Sequence, residues 1–195
     1  MSQGTKKMTK ALKQVKKKIP PPPFLRTHIK AGEAVAAPPL GPSLGARNIQ
    51  IGPFCKQFNE HTKDYKPGIP LPTVITLNPD RSVTIQTNKP PVSYYLRQAA
   101  GCRKGAIESH EVAGIVTLKH VYEIAKIKSA DSCNRGKTLE EVCQSVIGTA
   151  HSIGIKVERS LDPKEYQEFL RNREVKLAEH EQKLEEIRQS KMLRL

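Results

Sequence analysis

Residues 138–157 read TLEEVCQSVIGTAHSIGIKV. Thr138-x-x-Glu141 is a capping box, in which a hydroxyl and a carboxylate satisfy the orphan amides of a helix start. Leu139, Val142, Cys143, Val146, Ala150 and Ile153 recur at three- and four-residue steps, the stripe of an amphipathic helix. Gly154 stops it. Gly148 is the odd residue, because glycine inside a helix costs about 1 kcal/mol relative to alanine. At about 100° per residue, the stripe centres near Val146 and Ala150, and Gly148 points to the opposite side. Ser145 and Ser152 share that outward face and Thr149 stands at its edge; Glu141 is on the same face and counts against RNA, unless it stays at the rim or serves only as a cap. A face of small, hydroxyl-bearing side chains lets a helix approach a folded RNA backbone, meeting its wide, shallow minor groove through phosphates and 2′-hydroxyls. A surface glycine that is merely tolerated is the competing account.

The rest of the second half predicts two further helices. Val92, Tyr95, Leu96, Ala99 and Ala100 form the stripe of one, with Pro91 at its start and Gly101 at its end. Leu118, Val121, Tyr122 and Ala125 form the stripe of the other, with His120 beside it in a surface or capping role. The short apolar stretches Ile115–Val116 and Ile155–Val157 can pair as two small strands. The link Arg103–Ala113 opens on two basic residues, contains glycine and is expected to be mobile. Lys89, Arg97, Arg103, Lys104, Lys126 and Lys128 supply cations for the salt-dependent part of binding a polyanion. Aromatic stacking on single-stranded bases has little support beyond Tyr94.

Proline separates this half from the first. Fourteen of the fifteen prolines lie between residues 20 and 91, and none between 92 and 162. Proline lacks a backbone N–H and disrupts helix interiors, so the first half should be extended segments, turns and at most a short helix. Pro20–Pro23 is a stiff spacer and Phe24–Ala31 a strand. Ala36–Gly45 (AAPPLGPSLG) is expected to be an irregular Pro/Gly loop, either a rigid turn or a docking surface for a partner or small molecule. Pro53 opens a helix with Phe54, Cys55 and Phe58 on its apolar face. Thr73–Leu77, alternating about Val74, and Ser82–Gln86, with Val83 and Ile85, flank an NPDR turn as a hairpin. Beyond Pro163, Tyr166, Leu170, Leu177, Leu184 and Ile187 fall near heptad spacing in a charge-dense stretch. That predicts a long, exposed helix, either paired in a coiled coil or, since Arg173 and His180 interrupt the seam, packed on a neighbour.

The fold class is therefore α+β. Residues 1–23 form a basic extension, 24–88 a small α/β domain with a proline loop, 89–160 a three-helix domain, and 161–195 a charged helical extension.

The net charge of +14 is uneven. Residues 1–32 carry nine basic residues and no acid, 33–160 carry 16 basic against 11 acidic, and 161–195 carry eight of each. The excess in the middle suits a polyanion partner, and simple solubility accounts for it equally well. Cys55, Cys102, Cys133 and Cys143 fit no zinc spacing and no disulfide framework. No membrane-length apolar run is present. The six histidines are scattered, GPSLG at 41–45 lacks the lysine of a phosphate loop, and no paired carboxylates sit in an apolar setting. No catalytic constellation, metal or cofactor is called for. A protein adaptor working through the long C-terminal helix and the proline loop is the alternative class, separable by its indifference to salt.

PPLGPSLG at 38–45, FCKQFN at 54–59, KPP at 89–91, AAG at 99–101, EIAKIK at 123–128 and GTAHSIGIKV at 148–157 occur in an order and spacing that resemble the family of the eleventh large-subunit ribosomal protein, bacterial or organellar type. The likeness spans residues 24–158. It implies a C-terminal three-helix domain gripping the GTPase-associated region of the large rRNA, at the base of the stalk. It also implies an N-terminal domain that meets stalk proteins and translational GTPases, and a proline loop bordering an antibiotic-binding cleft. By resemblance the rRNA grip falls on Gly148, Thr149, Ala150, Ser152 and Gly154, with Lys89, Pro91, Ser93 and Lys126 in support; the charge reading adds Arg97, Lys104 and Lys128 to the rRNA-binding set, and His151 joins it from within the same stretch. The cleft loop falls on Pro38, Pro39, Gly41 and Pro42. Family members usually carry Arg where His151 stands, which weakens one charged contact here. ARNIQI at 46–51 departs from the usual G-x-N. The extensions at both ends suit an organellar, mitochondrial ribosome, and the acid-free N-terminus agrees with import.

Overall fold

The computed structural model describes residues 24–78, 80, 82–108 and 110–192. The basic extension, the spacer Pro20–Pro23 and two residues of the NPDR turn lie outside the described residues. The chain separates into two compact units between Pro90 and Pro91.

In the first unit, β1 (Phe24–Lys30), β2 (Pro70–Leu77) and β3 (Val83–Thr87) form an antiparallel sheet in the order β1-β2-β3. Register places Leu25 and Ile85 opposite Ile75. The inward face of β2 is Leu71, Thr73 and Ile75, one residue out of phase with a reading centred on Val74. Leu71 extends the alternation backwards, and a slip of one residue exchanges the faces of a strand. Pro70 and Pro72 sit in this central strand without breaking it. The Pro72 carbonyl accepts the Asn88 amide at 2.9 Å, while β3 proper ends at Thr87 opposite Thr73. Since an antiparallel residue turns its N–H and C=O to the same side, both missing donors face the side where β3 has run out.

Two helices cover this sheet: α1 (Leu40–Gly45) and α2 (Ile51–His61). Phe54 and Phe58 of α2, one turn apart, are buried among Ile29, Leu40, Leu44 and Ile75. The Pro/Gly segment departs from expectation, because its second half is helical. Pro42 lies in the first turn of α1, where its N–H would have no intrahelical partner anyway, and Leu40 and Leu44 are both buried. Burying two leucines at helical spacing outweighs the low propensity of the segment.

In the second unit, α3 (Val92–Ala99), α4 (Leu118–Ser129) and α5 (Leu139–Ile153) pack around Leu96, Val121, Ile124, Ala125, Val142, Val146 and Ala150. The strands β4 (Gly114–Thr117) and β5 (Ile155–Glu158) pair in parallel, Val116 opposite Val157. Both predicted caps are present. Thr138 Oγ1 accepts the Glu141 amide at 3.3 Å, and the Glu141 carboxylate accepts the Thr138 amide at 3.0 Å. His120 caps α4, its Nδ1 accepting the Thr117 amide at 3.2 Å. The buried stripe of α4 is Val121, Ile124, Ala125 and Lys128, so Leu118 and Tyr122 are exposed where the sequence suggested core. Ile124 joins Val121 and Ala125 in a stripe rotated toward it, leaving the Leu118–Tyr122 row outside.

The last helix, α6 (Pro163–Met192), buries one side chain, Arg173. The residue expected to interrupt its seam is the one that anchors it. No helix among the described residues is long and apolar enough to cross a membrane.

Candidate nucleic-acid interface

The outward face of α5 is built as its periodicity requires. Gly148 is exposed, and a Cβ placed on it would meet nothing within 4 Å. Core packing therefore makes no demand for glycine there. Ser145, His151 and Ser152 are exposed and Thr149 is half-buried. Thr149 Oγ1 donates to the Ser145 carbonyl at 2.8 Å, and Ser152 Oγ donates to the Thr149 carbonyl at 2.8 Å. These hydroxyl protons are turned into the helix, leaving oxygen lone pairs outward. For those two residues the face presents acceptors, matched to the donor of a ribose 2′-OH more than to phosphate.

The segment after α3 adjoins this face. The Ala106 amide donates to the Ile153 carbonyl at 2.8 Å and the Ala113 amide to the Gly154 carbonyl at 2.7 Å. A segment expected to be mobile is thus tied at two points to the end of α5, because the carbonyls of a helix end need donors. Gly105–Glu108 and His151–Gly154 line a concavity of about 320 Å³. Arg103 and Lys104 are exposed beside it in sequence. Glu111 braces the segment, its Oε2 accepting the Ile107 amide at 2.9 Å and its Oε1 pairing with Arg173. The Ile107 amide and the Arg173 guanidinium hold the Glu111 carboxyl below its usual range, against the opposing effect of burial. Burial pushes the nearby Cys102 thiol up.

Three residues expected in the rRNA-binding set have other work. Ala150 is fully buried in the core, so its side chain cannot meet a ligand. Lys128 is 6% exposed and paired with buried Asp131, so its charge is neutralised inside the unit. Gly154 ends α5 at φ +80°, and a Cβ there would lie 2.4 Å from Ala106 Cβ and 2.7 Å from the Glu111 carbonyl. The turn and its close neighbour account for that glycine without any ligand.

Lys126 is exposed on α4. Arg97 Nε donates to the Ser93 carbonyl at 3.1 Å, which lays the guanidinium along its own helix. Pro91 caps α3, its carbonyl accepting the Tyr94 amide at 2.9 Å. Tyr94 is half-buried, accepting Gln98 Nε2 on its hydroxyl at 3.0 Å and set edge-on to Tyr95. Tyr122 is the better aromatic platform, 48% exposed and one turn before Lys126. Sequence reasoning missed it by assigning it to the core, and the four-residue step to Lys126 was the available signal. Lys89 belongs to the first unit and is half-buried.

The proline-loop residues also lie in the first unit. Pro38, Pro39 and Pro42 are exposed, and the Pro38–Pro39 bond is cis. Gly41 is buried, and a Cβ there would stand 3.0 Å from the Ala36 carbonyl. The loop is held from behind by Asn59, whose Oδ1 accepts the Ala34 amide at 3.0 Å.

Known families and proteins match this arrangement along the chain. The family described as "Ribosomal protein L11, N-terminal domain" matches residues 25–83, and "Ribosomal protein L11, RNA binding domain" matches residues 88–157. A Drosophila melanogaster protein named large ribosomal subunit protein uL11m is 44% identical over 195 residues, covering 100% of this chain and 99% of its own length. Its Caenorhabditis elegans namesake is 45% identical over 172 residues, 88% of each chain. The protein uL11 of the bacterium Roseobacter denitrificans is 43% identical over 134 residues, 68% of this chain and 94% of its own. With both domains matched in order and a mitochondrial-type relative aligned over the whole length, the chain belongs to the ribosomal protein L11 family, in its mitochondrial (uL11m) branch.

Proposed function

We propose that this chain holds the GTPase-associated region of the large rRNA at the stalk base of the mitochondrial large ribosomal subunit, and supports the action of translation factors there. The observation that carries the reading is Gly148, an exposed glycine in a helix whose packing does not ask for one. A binding partner supplies the missing demand. Without a side chain at 148, the backbone of α5 can approach a ribose–phosphate strand, with Ser145, Thr149 and Ser152 around it. Lys126, Arg103, Lys104 and Arg97 supply the charge that releases counterions, and Tyr122 an aromatic face. A rigid helix face of this kind recognises one tertiary RNA fold by shape, more than by base sequence.

Gly148→Leu tests it. The variant should stay folded and lose binding by roughly a hundredfold, about 2.7 kcal/mol, in cosedimentation with large subunits and in titration of the rRNA fragment. Normal affinity of a folded variant would sink the helix-face reading. The proline loop, with Pro38, Pro39, Gly41 and Pro42, is the surface offered to stalk proteins and translational GTPases. Ribosomes carrying Pro39→Ala should show altered factor-dependent GTP hydrolysis, and unchanged turnover removes that role.

A further inference from the structure

The helix α6 lies outside the matched RNA-binding domain, which ends at residue 157. It exposes Leu170, Val175, Leu177, Leu184 and Ile187 and buries Arg173. The partner of Arg173 is Glu111, in the segment that joins α3 to β4, and both side chains are largely buried, 10% and 14% exposed. The other oxygen of that carboxylate accepts the Ile107 amide at 2.9 Å. Ala106, the neighbour of Ile107, donates to the Ile153 carbonyl at the end of α5. Three links therefore run from α6 to the RNA-facing helix: Arg173 to Glu111, Glu111 to Ile107, and Ala106 to Ile153. Arg103 and Lys104 are carried on the same segment.

We propose that α6 is a buttress for the RNA-binding domain, with Arg173 as a positioning residue that acts through Glu111 to hold residues 103–108 and 110–113 against the end of α5. A segment already held in its binding conformation loses less freedom on meeting RNA, so pre-ordering raises affinity without any added contact. A buried guanidinium fits this task. Its rigid fork matches a carboxylate, and removing it leaves that carboxylate buried and uncompensated. This inference rests on the RNA-binding reading above.

The test uses the full chain with Arg173→Met, Arg173→Lys, Glu111→Gln and the double variant Arg173→Met/Glu111→Gln, with Gly148→Leu as a reference. Amide exchange at Ala106, Ile107 and Ala113 and affinity for the rRNA fragment are measured across salt. Arg173→Met should speed exchange at those amides and weaken binding roughly tenfold. Exchange at Val121 and Val146 in the core should stay unchanged. Arg173→Lys should restore part of both effects, and the double variant should bind no worse than Arg173→Met. The salt dependence should keep its slope, because Arg173 touches no phosphate.

Unchanged loop exchange and affinity in Arg173→Met overturn the buttress. So does a salt slope lowered by about one, the mark of a direct phosphate contact. If Arg173→Met is silent while Gly148→Leu loses binding, only the buttress fails. If Gly148→Leu also binds normally, the RNA reading fails and the buttress with it.

Discussion

Two regions of α5 carry glycine for opposite reasons. At the C-terminal end, Gly154 has a left-handed backbone and neighbours at 2.4 and 2.7 Å from where a Cβ would stand. On the outward face, Gly148 has helical backbone and open space. The fold accounts for the first and leaves the second unexplained. A residue that is locally unfavourable and structurally unrequired points outward, to something the chain touches. A residue that is unfavourable but required by a turn or a close approach points inward. Resemblance alone placed both glycines in one binding set, and the geometry separates them.

Substitutions at these positions test that contrast. The largest effect belongs to Gly154→Val, where left-handed strain in a β-branched residue adds to overlap with Ala106 and Glu111. Denaturant unfolding should show a loss of about 3 kcal/mol, and a stability within about 0.5 kcal/mol of the parent would mean that the close packing yields easily. Gly148→Ala should go the other way, gaining about 1 kcal/mol in unfolding while losing RNA affinity. An alanine variant that is both more stable and equally tight would make Gly148 an ordinary surface glycine. Smallest is Lys126→Ala, expected to weaken binding about fivefold and lower the salt slope by about one with no change in unfolding. Loss of stability there would place Lys126 with Lys128, as a structural cation.

The helices of the second unit were legible because their cues are local. Thr138 and Glu141 meet three residues apart, Val142, Val146 and Ala150 recur at helical steps, and Gly154 follows at the stop. The hairpin was legible for the same reason. Other features depended on neighbours distant in sequence. The stripe of α4 turned on whether Leu118 or Ile124 found a core to enter, and both satisfy a helical period with Val121. In the proline segment, a helical turn formed because Leu40 and Leu44 had Phe58 and Ile29 to pack against, which no composition rule registers. Lys128 looked like a free cation until Asp131 was seen beside it in the interior. Arg173 looked like a fault in a heptad until Glu111, far earlier in the chain, came to meet it.

The two-part organisation, the type of most elements and the outward direction of Gly148 are written in local sequence. Each of these depends on periodicity and on backbone chemistry within a few residues. Which cations remain available to a ligand, which small residues are buried, and the ties of Ala106 and Ala113 to the end of α5 and of Glu111 to Arg173 emerged in the folded arrangement. Those outcomes depend on burial and on pairing between residues far apart in the chain. A charge or a glycine acquires its role from the neighbours that folding brings to it.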